Sequence, residues 1–176
     1  MSIYDPSGEH TTRTIRLPVE WDSELGNIAN QKGKSVNHLL NRLIEGYLVN
    51  ERYMESSPHI TISIQSFREF MKEVPDERAY QIGRKLGGTE PKSNLLLRGL
   101  DVNFGNILWL LERVYKNPDY MNLFYHELED EHMLYITHNC GHSWSSYLKG
   151  YFEEFFNTLV GTDVVTIATD STLEVR

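Results

Sequence analysis

Five residues in the last third of the chain carry side chains that ligate transition metals: His126, His132, His138, Cys140 and His142. Imidazole nitrogen and thiolate sulfur are donors for zinc, nickel or copper. His138-x-Cys140-x-His142 is compact, but its members flank Gly141 at an expected strand-to-helix turn. A tetrahedral site would need His126 or His132 to come round from the preceding hairpin. His132 and His138 share strand parity, so both are expected on one face. The competing reading is structural: exposed loop histidines, His142 at a helix start and Cys140 as a small buried apolar side chain. We prefer the structural reading, so no metal site and no cofactor are expected. His138, Cys140 and His142 stay as the metal candidates.

Other chemistry is sparse. There is no readable Ser-His-Asp set, phosphate-binding glycine loop or His-Glu-x-x-His helix. The Glu153-Glu154 pair falls on the polar face of an expected helix, which is ordinary solvation. The chain does not read as an enzyme.

The second set of candidates lies near the start: Thr12, Arg13, Thr14, Arg16, Lys34 and Ser35. Arginine can donate two bonds to guanine O6 and N7, and threonine offers a hydroxyl to bases and a methyl to thymine. Thr12, Thr14 and Arg16 alternate with Ile15 and Leu17 from 12 to 17, the period-two pattern of a half-buried strand. A lone six-residue strand cannot satisfy its edges or bury its apolar face. Its simplest partner is the same strand of a second copy, giving a two-stranded ribbon that suits the DNA major groove.

Two helices must hold such a ribbon. Pro18 ends the strand and suits the start of a helix, and Glu20, Asp22 and Glu24 sit where the helix dipole favours acids. Gly33 is placed to stop this helix in a left-handed conformation, and Ser35 to cap the next. Helix N-termini bind anions, so Ser35 with Lys34 beside it could clamp a phosphate. Leu39, Leu40, Leu43, Ile44 and Tyr47 form a stripe at spacings of three and four, expected to pack on its symmetry mate.

This order resembles the ribbon-helix-helix family of dimeric DNA-binding proteins. The residues that carry it are Thr-Arg-Thr-Ile-Arg-Leu-Pro at 12–18, then Trp21, Leu25, Ile28 and Ala29, the Gly33-Lys34-Ser35 turn, and the stripe from Val36 to Tyr47. The resemblance covers about a quarter of the chain. It implies that Thr12, Thr14 and Arg16 read base edges. Arg13 departs from the family by standing where an apolar residue is usual. Its stem would cover the core edge while its guanidinium reaches a phosphate.

The remainder suggests a second domain over residues 59–176, after a reader over 1–55, with the junction at Glu55-Ser56-Ser57-Pro58. His59 to Ser63 reads as a strand, and Ser66-Phe67-Arg68-Glu69 as a capping box opening a helix to about Val74. A helix follows from Asp76 to Leu86, then a short strand or turn at Leu95 to Leu97. Asp101 is the expected cap of a helix bearing Phe104, Ile107, Leu108, Leu111, Val114 and Tyr115, ended by Asn117-Pro118. Tyr120 to Leu128 and His132 to Thr137 read as strands joined by Glu129-Asp130-Glu131. Ser143 is expected to cap an aromatic helix whose stripe runs from Trp144 to Leu159, with Gly161 as its stop. A hairpin of Val164 to Thr169 and Thr172 to Val175 closes the pattern. The aromatic stripe reads as core rather than as a pocket lining. The stretch from His138 to Gly141, with Trp144-Ser145 and Tyr147-Leu148, is similar to the tail module of some archaeal regulators. No ligand is carried over from that similarity.

Composition bounds these readings. The 176 residues carry 40% hydrophobic and 11% aromatic side chains, enough for real cores, and a formal net charge of −8. Residues 1–55 hold six Lys or Arg against eight Asp or Glu, so the acidity lies mostly beyond the expected reader. A weak electrostatic attraction implies low non-specific affinity for DNA. One cysteine excludes an internal disulfide. No signal peptide or membrane span is readable, so a cytoplasmic protein is expected. The expected fold class is α+β: a ribbon-helix-helix, then an antiparallel sheet packed on aromatic-rich helices. The expected function is a dimeric transcriptional regulator of double-stranded DNA, with the second domain sensing a small-molecule effector or driving assembly. The alternatives are an antitoxin-like regulator gripping another protein, and a metal-responsive regulator using the His/Cys cluster.

Overall fold

The structure, a computed structural model, describes residues 8, 10–55, 60–115, 120–128 and 131–176. The chain divides into two compact units, 1–59 and 60–176. It mixes helices with one four-stranded antiparallel sheet, an α+β composition.

In the first unit, α1 (Val19–Gln31) and α2 (Val36–Gly46) meet at a tight turn. Lys32 closes α1, Gly33 takes φ +60°, and the Lys34 N–H donates back to the Ala29 carbonyl at 2.9 Å. This is a left-handed helix stop that only glycine adopts without strain. Ser35 then caps α2, its hydroxyl accepting from the His38 N–H at 3.1 Å. A π-helical turn over Tyr47–Glu51 carries α2 into the short α3 (Arg52–Met54). Among the described residues of this unit only Ala29 and Val49 are buried apolar side chains.

The second unit holds the core. Its elements are α4 (Ile64–Lys72), α5 (Asp76–Gly87), α6 (Glu90–Leu97), α7 (Phe104–Leu110), β1 (Met121–Leu128), β2 (Glu131–His138), α8 (His142–Val160), β3 (Thr166–Ala168) and β4 (Thr172–Val175). The strand order is β1-β2-β4-β3, antiparallel throughout. Leu123, Leu134, Ile136 and Leu173 point from the sheet into a cluster with Leu95, Ile107 and Leu110 of the helices and Phe152 and Phe155 of α8. The aromatic stripe of α8 is therefore largely core.

Helices α5 and α8 run parallel in unusually close contact. A Cβ built on Gly83 would stand 2.0 Å from the Tyr147 carbonyl oxygen, one on Gly87 2.1 Å from that of Tyr151, and one on Gly150 2.3 Å from that of Tyr80. No side chain fits at those three positions. Tyr80 Oη donates to Glu153 at 2.7 Å and Arg84 to Glu154 at 2.6 Å, bracing the seam from the side.

Several expected boundaries shift for local reasons. Described residues 60–63 form no strand, and Ser63 caps α4 by accepting from the Ser66 N–H, so that helix starts at Ile64 and ends at Lys72. Leu95 to Leu97 is neither strand nor turn but the end of α6, a helix opened by Pro91 near its start. Asn103, not Asp101, caps α7, accepting from the Asn106 N–H at 2.9 Å. Gly141 precedes α8, and the Ser143 hydroxyl donates instead to Asp76 at 2.8 Å. Asn117-Pro118, Ser56-Ser57-Pro58 and Glu129-Asp130 lie outside the described residues.

Candidate functional site

Residues 11–18 form neither helix nor paired strand in the single chain. Thr12, Arg13, Thr14 and Arg16 are exposed, Leu17 is half-buried, and Ile15 is 56% exposed. Pro18 ends the segment, and its carbonyl accepts from the N–H groups of Trp21 and Asp22, so the segment is anchored to the first turn of α1. Lys34 and Ser35 are exposed at the start of α2. The fold thus brings Lys34 and Ser35 together with the first N–H groups of α2, while the segment carrying Arg16 stands at the opposite end of α1.

Leu39 and Leu40 of the stripe are half-buried, whereas its later part, from the end of α2 into the π-helical turn, is open to solvent. Leu43 is 60% exposed, Ile44 57% and Tyr47 45%, and Leu48 continues the patch. Four large apolar side chains within six residues of one helix are far from the scattered singles of an ordinary surface. Among the described residues of this unit only two apolar side chains are buried behind them, too few for a core.

The His/Cys residues do not converge. His126 pairs with Met133 on the outer face of the sheet, whereas His132 shares the inner face with Leu134 and Ile136. His132 and His138 do share that face, as their parity requires, but they close opposite ends of β2, about 20 Å apart at strand rise. His138 is buried; its Nδ1 accepts from the Cys140 N–H at 3.3 Å and its Nε2 stands 2.9 Å from Ser145 Oγ. Both ring nitrogens are used by the fold. Burial pushes the Cys140 thiol up, away from the thiolate that a metal would need. His142 lies at the surface, with Nδ1 3.0 Å from Asp170 and Nε2 3.9 Å from Asp76. Among the described residues no group of three or more His, Cys, Asp or Glu is placed to hold an ion.

One concave site went unread in the sequence. A cavity of about 450 Å³ lies in the second unit between α7, the end of α8 and one end of the sheet. Leu108, Leu111, Leu134, Phe156, Val160 and Val164 form its apolar wall. Phe104, Tyr125 and His132 gather at its mouth: Phe104 lies 4.7 Å from the His132 ring, and Tyr125 stacks on His132 at 6.0 Å. The Tyr125 hydroxyl is 2.7 Å from His132 Nδ1 and 3.5 Å from Glu127. The β1–β2 register puts Tyr125 and His132 on one face, and their meeting with α7 depends on packing.

Comparison with protein-family models, with curated proteins and with solved structures finds no match for this chain. Among the described residues no helix is long and apolar enough to cross a membrane.

Proposed function

We propose that the chain is a homodimeric, sequence-specific DNA-binding regulator whose first unit is completed by a second copy. The observation that carries this reading is the exposed α2 stripe. Leu43, Ile44, Tyr47 and Leu48 stand open beside a unit in which, among the described residues, only Ala29 and Val49 are buried apolar side chains. Apolar surface of this extent is stabilised by burial at roughly 25 cal/mol per Å², so a partner helix of the same composition would bury it. Two copies of residues 12–17 would then pair as an antiparallel ribbon. Ile15 and Leu17 would turn inward, and Thr12, Thr14 and Arg16 would face the major groove. Arg13, Lys34 and Ser35 would contact phosphates, the last two through the capped start of α2. The resemblance of residues 12–47 to ribbon-helix-helix proteins supports the same arrangement.

The test joins assembly to selection. Sedimentation equilibrium should give a dimer or a multiple of it at micromolar concentration. Selection from a random duplex pool should enrich a two-fold symmetric site. A Leu43→Asp, Ile44→Asp variant should become monomeric in its first unit and lose the enrichment. A monodisperse full-length monomer, or selection that returns no sequence, overturns the reading.

A further inference from the structure

From the cavity in the second unit we infer a binding site for an uncharged, largely apolar ring compound carrying one hydrogen-bonding oxygen. The site lies wholly within residues 104–176 and does not rest on the DNA-binding reading.

Size comes first. About 450 Å³ falls within the 300–1,000 Å³ typical of small-molecule sites, whose walls are mostly apolar with a few placed polar groups. The walls here are aliphatic and aromatic, from Leu108, Leu111, Leu134, Phe156 and Val160. An apolar body is therefore favoured in the interior.

Tyr125 and His132 bring polar groups to the mouth. Tyr125 Oη donates to Glu127 at 3.5 Å and stands 2.7 Å from His132 Nδ1, so across the shorter contact the imidazole is the donor. In the neutral ring Nδ1 then carries the proton, which leaves Nε2 as an acceptor for a hydroxyl at the mouth. The rings of Phe104 and Tyr125 meet edge to face at 6.2 Å, and Phe104 tilts 51° to His132. Such a set offers both a face and an edge to a flat guest.

The charges of the lining disfavour an ion, an anion most of all. The cavity lining includes Arg176, but its guanidinium is paired with Glu174. Asp163 is held by the Asn157 amide at 2.9 Å. Glu131 lines the cavity as well, so acids outnumber the one base. A carboxylate would lose its hydration and meet these acids, and an ammonium would lose its hydration in the apolar interior, costs that an uncharged ligand escapes.

The experiment uses the whole chain and a neutral fluorescent probe, N-phenyl-1-naphthylamine. We expect saturable, one-per-chain enhancement of its fluorescence. 2-Naphthol should displace it about tenfold better than 2-naphthoate, the charge penalty read as affinity. Val160→Trp fills the cavity from a partly exposed position, and should abolish binding with an unchanged melting curve; Leu108→Trp is the second blocking variant should the first alter folding. His132→Phe keeps the ring contacts and removes Nε2, and should erase the preference for 2-naphthol over 2-methylnaphthalene, about threefold to tenfold for one hydrogen bond. Unsaturable binding, equal binding by both folded Trp variants, or a preference for naphthoate overturns the inference.

Discussion

His138 Nε2 stands 2.9 Å from Ser145 Oγ, with both side chains buried. Because Nδ1 accepts the Cys140 N–H, the ring proton sits on Nε2 and is donated to the serine oxygen. The pair looks like a nucleophile and its base, but the proton runs the wrong way: the serine receives it instead of surrendering it. His138 and Ser145 tie the end of β2 to the first turn of α8.

Burial lowers the His138 pKa from its ordinary 6.5 to about 4. Above the ordinary value the ring is neutral in both states, and its contribution is fully present. Between 6.5 and about 4 the unfolded ring takes up a proton that the folded ring refuses, so stability falls as pH falls. Below that window both states are protonated and no further loss arises from this group. Urea unfolding at pH 7.5 and pH 4.5 should show a loss about 1–3 kcal/mol larger in the wild type than in His138→Gln.

The α5–α8 seam makes a second prediction. Gly83→Ala and Gly150→Ala each drive a methyl group into backbone at 2.0 and 2.3 Å, so the helices must separate. Each should cost more than about 3 kcal/mol or abolish folding of the second unit. Gly26→Ala, inside α1 with nothing within 4 Å of the added carbon, should instead stabilise by about 0.5–1 kcal/mol. Thermal melts of the three variants check the contrast.

On the DNA-binding reading, the first unit separates two kinds of contact. Arg16→Ala should cost about 1–3 kcal/mol on the selected site and relax discrimination at one base pair. Lys34→Ala should weaken all sequences alike and flatten the salt dependence by about one unit per contact. Gel-shift titrations at several salt concentrations measure both. Ser35→Ala should lower stability by about 1 kcal/mol through loss of the cap on His38, whether or not DNA is bound.

Metal content is the last expectation. Protein purified without an affinity tag should carry no stoichiometric zinc, nickel or copper. His138 spends both nitrogens inside the fold, Cys140 is held as a thiol, and His142 lies between two surface carboxylates. Near-stoichiometric metal, lost in a Cys140→Ala, His142→Ala double variant, would reverse this expectation.

Local chemistry made much of the fold legible. Gly33 and Ser35 mark the α1–α2 turn because a left-handed stop and a cap are decided within five residues. The β1–β2 and β3–β4 hairpins follow from period-two patterns around polar breaks, and Gly161 ends α8 at φ +74°. Where neighbouring residues competed for one role, as Ser63 with Ser66 or Asn103 with Asp101, pattern alone chose the wrong one. The winning side chain was the one that reached an open N–H.

The tertiary structure decided what depends on residues far apart in the chain. Nothing in the local sequence marks Gly83, Gly87 and Gly150 as contact surfaces, and only the meeting of α5 with α8 makes them so. The sequence put His126, His132, His138, Cys140 and His142 within seventeen residues, yet strand pleat and length send them to two faces and opposite ends. The same packing brings Phe104 from α7 to Tyr125 and His132, and so makes a cavity mouth from residues with no local signature. Sequence fixes what each short segment favours along its own axis. Which faces meet is settled by burial across the whole unit, where one helix's apolar stripe finds its neighbour.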